Sequence, residues 1–320
     1  MSSWSLKSIP PHDWFICLDI NEYFDHEHEP EKVFEEGFVR PIPLDDRDVI
    51  VTSFFNGDPE NPEFHFESEE ALNKAEIEQA NKSLARIFGT NIDLRPLYDQ
   101  AADDPVLGAM LTDLYGFKRM ARANLFEDTI NRIIEMRLSH KPTAKKMVYN
   151  VREAYGSLLT AKGQNLAAWP RPHQLVKADP MSIRNLNPGP TKRKGEYIIG
   201  FAEDLMSGER DLHHLETCQP EVFYNTISKV RGVGPTSAQQ LMLFRERTDA
   251  VFPSNKSKGQ EKGLRKWIIM NYGGDPDTIS EEDFRDMIAN WEGYEAAAIE
   301  FMFVNWVLSE KEKKRKKKNN

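Results

Sequence analysis

The stretch VRGVGPTSAQQ, residues 230–240, sets two glycines and a proline between PEVFYNTISKV and SAQQLMLF, which both read as helix. Each glycine costs a helix about 1 kcal/mol against alanine, so a helical interruption built this way needs another use. Glycine reaches positive φ and carries no side chain, so backbone N–H groups around Gly232, Gly234 and Thr236 can approach an anion closely. The helix that follows adds the positive end of its dipole, the arrangement that seats a phosphate. Other candidates for chemistry are weaker. His26 and His28 in DHEHE share one face if that stretch is a strand, but an acidic loop with two imidazoles makes a poor metal site. His213 and His214 are adjacent and point apart on a helix. Cys17 and Cys218 are too few for a cysteine-ligated cluster or a disulfide framework, so no metal or cofactor is expected.

Two kinds of element must position that turn. Residues 1–95 mix strand and turn signals: WFICLDI is short and apolar, and RDVIVTSFF and EFHFES flank the loop NGDPENP as a hairpin. Ser68, followed by Glu69 and Glu70, predicts the N-cap of a helix that Gly89 should stop. From about residue 100 the pattern is helical, with short connections rich in Pro and Gly and no internal repeat. The expected fold is α+β: a small sheet-plus-helix domain over 1–100, a larger all-helical domain over 101–310, and a disordered basic tail over 311–320.

The 320 residues carry a net charge of −9, but unevenly. Residues 1–110 hold 8 Lys/Arg against 24 Asp/Glu, while 111–320 hold 34 against 27, and the tail KEKKRKKKNN alone is +6. An excess of this sign in the later part points to a polyanionic partner. No apolar run reaches a membrane span, and MSSWSLKSIPPHDWF lacks the pattern of a secretory signal, so an intracellular location is expected, nuclear in a eukaryote.

ISKVRGVGPTSAQQLMLF, then DAVFP, then EKGLRKWI, resembles the helix-hairpin-helix DNA glycosylase superfamily. Upstream, YGFKRMARANLFEDTINRIIEMRLSHKPTAKKM and WPRPHQLVKADPMSIRNLNPGPTKRKGEYIIGFAEDLMSGE resemble its alkylated-base branch, of the 3-methyladenine type. The likeness covers roughly 105–275. It implies base excision on double-stranded DNA: a damaged base is flipped out and its N-glycosidic bond is cut. Phosphate anchors would be Gly232, Gly234 and Thr236, with charge from Lys192, Arg193 and Lys194. Arg137 to Lys141 stands at the family's wedge loop, so Leu138, Ser139 and His140 would fill the gap in the stack. Phe117, Met120, Phe126 and Trp169 are the candidates for an apolar-aromatic base pocket.

Base departure leaves an oxocarbenium-like sugar that a fixed anion stabilises. Counting from the second glycine by the family's spacing lands on Asn255, an uncharged amide. Aligning EKGLRK with the family's Asp-x-Gly-Leu-Arg-Arg lands on Glu261, with SNKSKG inserted ahead of it. The resemblance thus implies either a glycosylase using Glu261 or a relative that has lost its acid and only binds damaged or distorted DNA. Bifunctional members carry a lysine two residues after the second glycine; Thr236 stands there, and a hydroxyl forms no imine, so a monofunctional enzyme is implied. The family also implies a monovalent cation beside the hairpin phosphate, and the chain is expected to act as a monomer.

Overall fold

The computed structural model describes residues 1–17, 32–34, 37–161 and 163–319. The last three residues of WFICLDI and most of DHEHEPEKVFEE, including His26 and His28, therefore lie outside the described residues. Five antiparallel strands form the first element: β1 (Ser2–Lys7), β2 (Lys32–Phe34), β3 (Gly37–Pro43), β4 (Asp48–Phe55) and β5 (Glu63–Ser68), in the order β1-β5-β4-β3-β2. The hairpin read from EFHFES is present, pairing Phe55 with Phe64 and Ser53 with Phe66. Period-two alternation buries Phe64 and Phe66 and leaves His65 outside. Those rings pack on α1 (Lys74–Phe88), where Phe88 stacks on Phe64 at 4.5 Å.

α1 stops at Gly89, whose φ of 64° no β-branched or bulky residue adopts readily. Its start differs from the expectation. Ser68 ends β5 opposite Ser2, and its hydroxyl accepts the Glu70 N–H at 3.3 Å. Asn73 caps the helix instead, through a capping box in which its side chain accepts the Glu76 N–H and Glu76 accepts the Asn73 N–H.

Helices follow: α2 (Arg95–Gln100), α3 (Gly108–Asp113), α4 (Leu125–Glu135) and α5 (Lys141–Tyr155). A short hairpin, β6 (Leu158–Ala161) with β7 (Gln164–Ala167), was not expected from the sequence. Then come α6 (Pro172–Leu175), α7 (Pro180–Arg184), α8 (Lys192–Met206), α9 (Leu212–Thr217), α10 (Pro220–Ile227) and α11 (Pro235–Met242). A second small hairpin, β8 (Lys256–Ser257) with β9 (Gln260–Glu261), precedes α12 (Gly263–Asn271), α13 (Glu281–Met287) and α14 (Glu295–Asn319). The backbone of α14 carries the basic tail as far as Asn319, where composition suggested disorder. Lys, Arg and Glu are good helix formers, and extending an existing helix needs no new nucleus.

Sheet and helices share one contiguous core that runs from Trp14 to Val304, so no break in packing marks residue 100. Buried charge ties the parts together. Asp128, 1% exposed on α4, pairs with Arg86 of α1 at 2.8 Å and with Arg122 at 3.1 Å; Arg86 also reaches Glu216 of α9 at 2.8 Å. Arg40 of β3 lies 3.7 Å from Glu127. Removing one member of such a cluster strands the others without solvent. Asp128→Ala is therefore expected to lower the unfolding free energy by about 3–5 kcal/mol, read from denaturant midpoints, whereas an exposed pair such as Lys74–Glu78 should contribute below about 1 kcal/mol.

Candidate nucleic-acid interface

α10 ends as Val230 donates to the Ile227 carbonyl, and Val233 in turn donates to that of Val230 at 2.9 Å. Both valines are buried, which presses the turn onto the core and leaves its outer rim to the glycines. Gly232 has φ 92°, and a Cβ there would lie 2.4 Å from Cδ2 of Tyr197 on α8. Gly234 is different: it is exposed, its φ is −91°, and a Cβ on it would meet nothing within 4 Å. It caps α11 without a side-chain hydrogen bond, and Pro235 follows at the first helical position. Among the described residues the Gly234 and Thr236 amides donate to no protein acceptor. The turn therefore presents the bare, positive end of a helix to solvent.

Tyr197 organises the charge beside it. The guanidinium carbons of Arg193 and Arg231 lie 5.7 and 5.8 Å from its ring centroid, both within cation–π reach. Lys192 is exposed and pairs loosely with Glu196 at 3.6 Å. Lys194 does not join them. It is 8% exposed, and its Nζ donates to the carbonyls of Ile134 and Met136 at 2.6 and 2.7 Å, capping the C-terminus of α4. The expected phosphate contact at Lys194 is thus corrected to an internal one: on α8 it shares the buried face with Ile198, Phe201 and Ala202.

By holding those carbonyls Lys194 fixes the loop that follows them. Arg137 takes φ 60°, Leu138 donates back to Glu135 at 2.9 Å, and Ser139 and His140 are exposed. His140 caps α5, its Nδ1 accepting the Thr143 N–H at 3.3 Å. Arg132, one turn earlier, reaches the Ser237 hydroxyl at 3.4 Å and so ties α4 to the first turn of α11. The loop, the start of α8 and the glycine turn are thereby joined. The helices α5, α8, α11 and α12 carry no acidic residue in their first turns.

Glu261 sits behind this region. Gly263, two residues on, packs so tightly on α11 that a Cβ there would lie 2.7 Å from Gln239 Oε1 and 3.2 Å from Thr236 Oγ1. The Glu261 side chain is 1% exposed. Oε1 accepts the N–H groups of Asn255 at 2.5 Å and Lys262 at 3.3 Å; Oε2 accepts the Ser254 hydroxyl at 2.7 Å and faces Arg265 Nε at 3.7 Å. Burial alone would raise its pKa, but these donors and the Arg265 charge override burial and hold it below the ordinary carboxylate value. Asn255 contributes its backbone: the N–H to Glu261 and the carbonyl to Lys262 N–H at 3.0 Å.

The aromatic candidates separate. Phe126 stacks on Phe201 at 5.7 Å, Met120 is buried, and Trp169 lies between Arg122 and Arg152 at 5.4 and 4.9 Å; none lines a cavity described here. They are core, because a large apolar side chain fills a helical interior as readily as a pocket. Phe117 does line a cavity of about 30 Å³, with Arg119, Phe244, Glu300 and Phe301. Arg119 stacks on Phe244 at 3.9 Å and pairs with Glu300 at 3.5 Å. Burial, opposed by Arg119, pushes the Glu300 carboxyl up to about 8. Sequence reading missed Glu300, Arg231 and Tyr197; only the i, i+4 spacing of Arg193 and Tyr197 signalled their contact.

A glycine turn between two helices, opening onto a basic rim on a helical body behind a five-stranded sheet, defines a helix-hairpin-helix fold. The fold is that of the helix-hairpin-helix DNA glycosylases. The chain superposes on a 3-methyladenine DNA-glycosylase from Archaeoglobus fulgidus with TM-score 0.72 and 20% identity, covering 94% of this chain and 97% of that one. It superposes on the Clostridium acetobutylicum 8-oxoguanine glycosylase/lyase bound to double-stranded DNA with TM-score 0.67 and 17% identity, over 95% and 97%. By sequence it is 26% identical over 178 residues to the DNA-3-methyladenine glycosylase of Bacillus subtilis, 55% of this chain and 57% of that protein. The chain thus spans little more than half the length of that relative. No protein-family model matches. Homologues and structural neighbours are DNA glycosylases that act on damaged bases.

The two glycines make opposite expectations. Gly232→Ala should destabilise the turn and abolish duplex binding, since its Cβ meets the Tyr197 ring at positive φ. Gly234→Ala should leave the unfolding free energy within about 0.5 kcal/mol of wild type yet weaken duplex binding several-fold, by spacing the amides from a phosphate.

Proposed function

We propose that this protein is a DNA N-glycosylase that grips duplex DNA at the glycine turn and hydrolytically releases a damaged, alkylated base, without strand-nicking activity. The observation that carries this reading is Glu261: a carboxylate 1% exposed, held ionised, and placed two residues from the glycine that packs on Thr236. An anion kept charged in a dry setting stabilises an oxocarbenium-like sugar more than the same group in water. An alkylated purine carrying a positive charge leaves as a neutral molecule, so one anion and a firm hold on the backbone suffice. Thr236, in place of an amine, supports hydrolysis without a Schiff base. The same reading includes a monovalent cation beside the turn, a monomer, and an intracellular setting where DNA is found, nuclear in a eukaryote.

A second reading, binding without cutting, is favoured by one observation. Every partner of the Glu261 carboxylate lies between Ser254 and Arg265, so the group serves its own segment and touches no solvent. For chemistry, DNA must displace Ser254 from Oε2.

Incubating the protein with alkylated duplex, with and without subsequent alkali, separates the two. The glycosylase reading expects strand breaks only after alkali, and a loss of about 100-fold or more in Glu261→Gln with duplex binding kept. Duplex binding by wild type with no base released from any lesion would establish the second reading. Full activity in Glu261→Gln would move the search for an acid to the cavity that holds Glu300.

A further inference from the structure

The excursion 254–262 is a built feature. Lys256 pairs with Glu261 and Ser257 with Gln260, and the two linking residues, Lys258 and Gly259, have φ 54° and 78°. Two successive positive φ values make the tight turn that matches strand twist. Its base is pinned twice to α11. Gln239, fully buried, donates to the Pro253 carbonyl at 3.5 Å and accepts the Leu264 N–H at 3.3 Å, holding both ends of the excursion against the first turns of that helix. Glu261 binds the inner side through Ser254 and the Asn255 N–H. Residues 256–260 are all exposed.

Lys262 Nζ donates to Gln260 Oε1 at 3.2 Å within the hairpin, but the other two lysines point to solvent. Lys256 and Lys258 are exposed and form no ion pair among the described residues. They precede the N-terminus of α12, where the helix dipole favours acidic residues and disfavours basic ones. Lys258 stands at positive φ, where Asn, Asp or Gly would be less strained. In a chain of net charge −9, lysines at 256, 258 and 262 against the one buried carboxylate of Glu261 leave the exposed side of the hairpin positive against the overall field.

We propose that the Lys256–Lys262 hairpin is a second backbone clamp, which contacts a duplex phosphate next to the one seated at the Gly232–Gly234 turn. The inference rests on the duplex-binding part of the function proposed above and is independent of base removal. Each lysine that neutralises a phosphate releases counterion, so the clamp adds to the salt dependence of binding and not to sequence preference.

The test is the affinity of the full chain for an undamaged duplex across a series of salt concentrations. Lys258→Asn is expected to raise or preserve the denaturation midpoint, by relieving the turn, while weakening binding about three- to tenfold and reducing the magnitude of the negative slope of log K against log salt by about 0.9. Lys256→Gln with Lys258→Asn should lower it by about 1.8, and Lys258→Arg should restore it. An unchanged slope in the double variant, with Gly234→Ala still weakening binding, would overturn the clamp alone. Failure of wild type to bind any duplex would overturn both the clamp and the grip at the turn.

Discussion

The ring of Tyr197 occupies the space that any side chain at position 232 would need, and the face of the molecule is organised around that contact. It locks the turn between α10 and α11 to α8, and with it the two guanidinium groups that flank the ring. The same helix does a second task one turn earlier. Helix C-termini leave carbonyls without internal partners, and Lys194 satisfies two of those ending α4. Positions 193, 194 and 197 of a single helix therefore set the basic rim, the loop over 137–140 and the seat of the glycine turn. A shift of α8 would move all three together.

Much of this was legible. Glycine inside helical sequence is costly enough that the turn at 232–234 announced itself, and Gly89 stopped its helix as its type requires. Lys194 was legible too, in principle: residues 194, 198, 201 and 202 keep the spacing of a buried helical face, which three consecutive basic residues obscured. Ser68 and Asn73 are both good caps, and what decided between them was the pairing of Ser68 with Ser2, sixty-six residues away in sequence. Aromatic type alone does not separate a pocket from a core, so Phe126 and Trp169 could be placed only by their neighbours.

The excursion at 254–262 shows a different limit. As sequence, SNKSKG reads as an insertion ahead of a helix; as structure, its ends are tied by one buried amide, Gln239, that carries no motif. Gln239 lies one turn into the helix that Gly234 opens, so the glycine turn and the inserted hairpin share a support. A hairpin pinned to the helix that the turn opens keeps a fixed spacing from that turn, which is what simultaneous contact with neighbouring phosphates requires.

Glu261 keeps its charge and ties its own segment together through the same contacts. A buried carboxylate loses its charge unless donors hold it, and the donors that hold this one also occupy it. The two oxygens are not equivalent in this respect. Oε1 is bound by main-chain amides of Asn255 and Lys262, which cannot leave without opening the hairpin. Oε2 is bound by the Ser254 hydroxyl, on an exposed residue that can rotate away at the cost of one hydrogen bond, about 1 kcal/mol. Arg265 stays, itself held by the Phe252 carbonyl and Glu281, and keeps the charge in place. Of the two oxygens Oε2 is therefore the more readily freed, and the residue that guards it is Ser254.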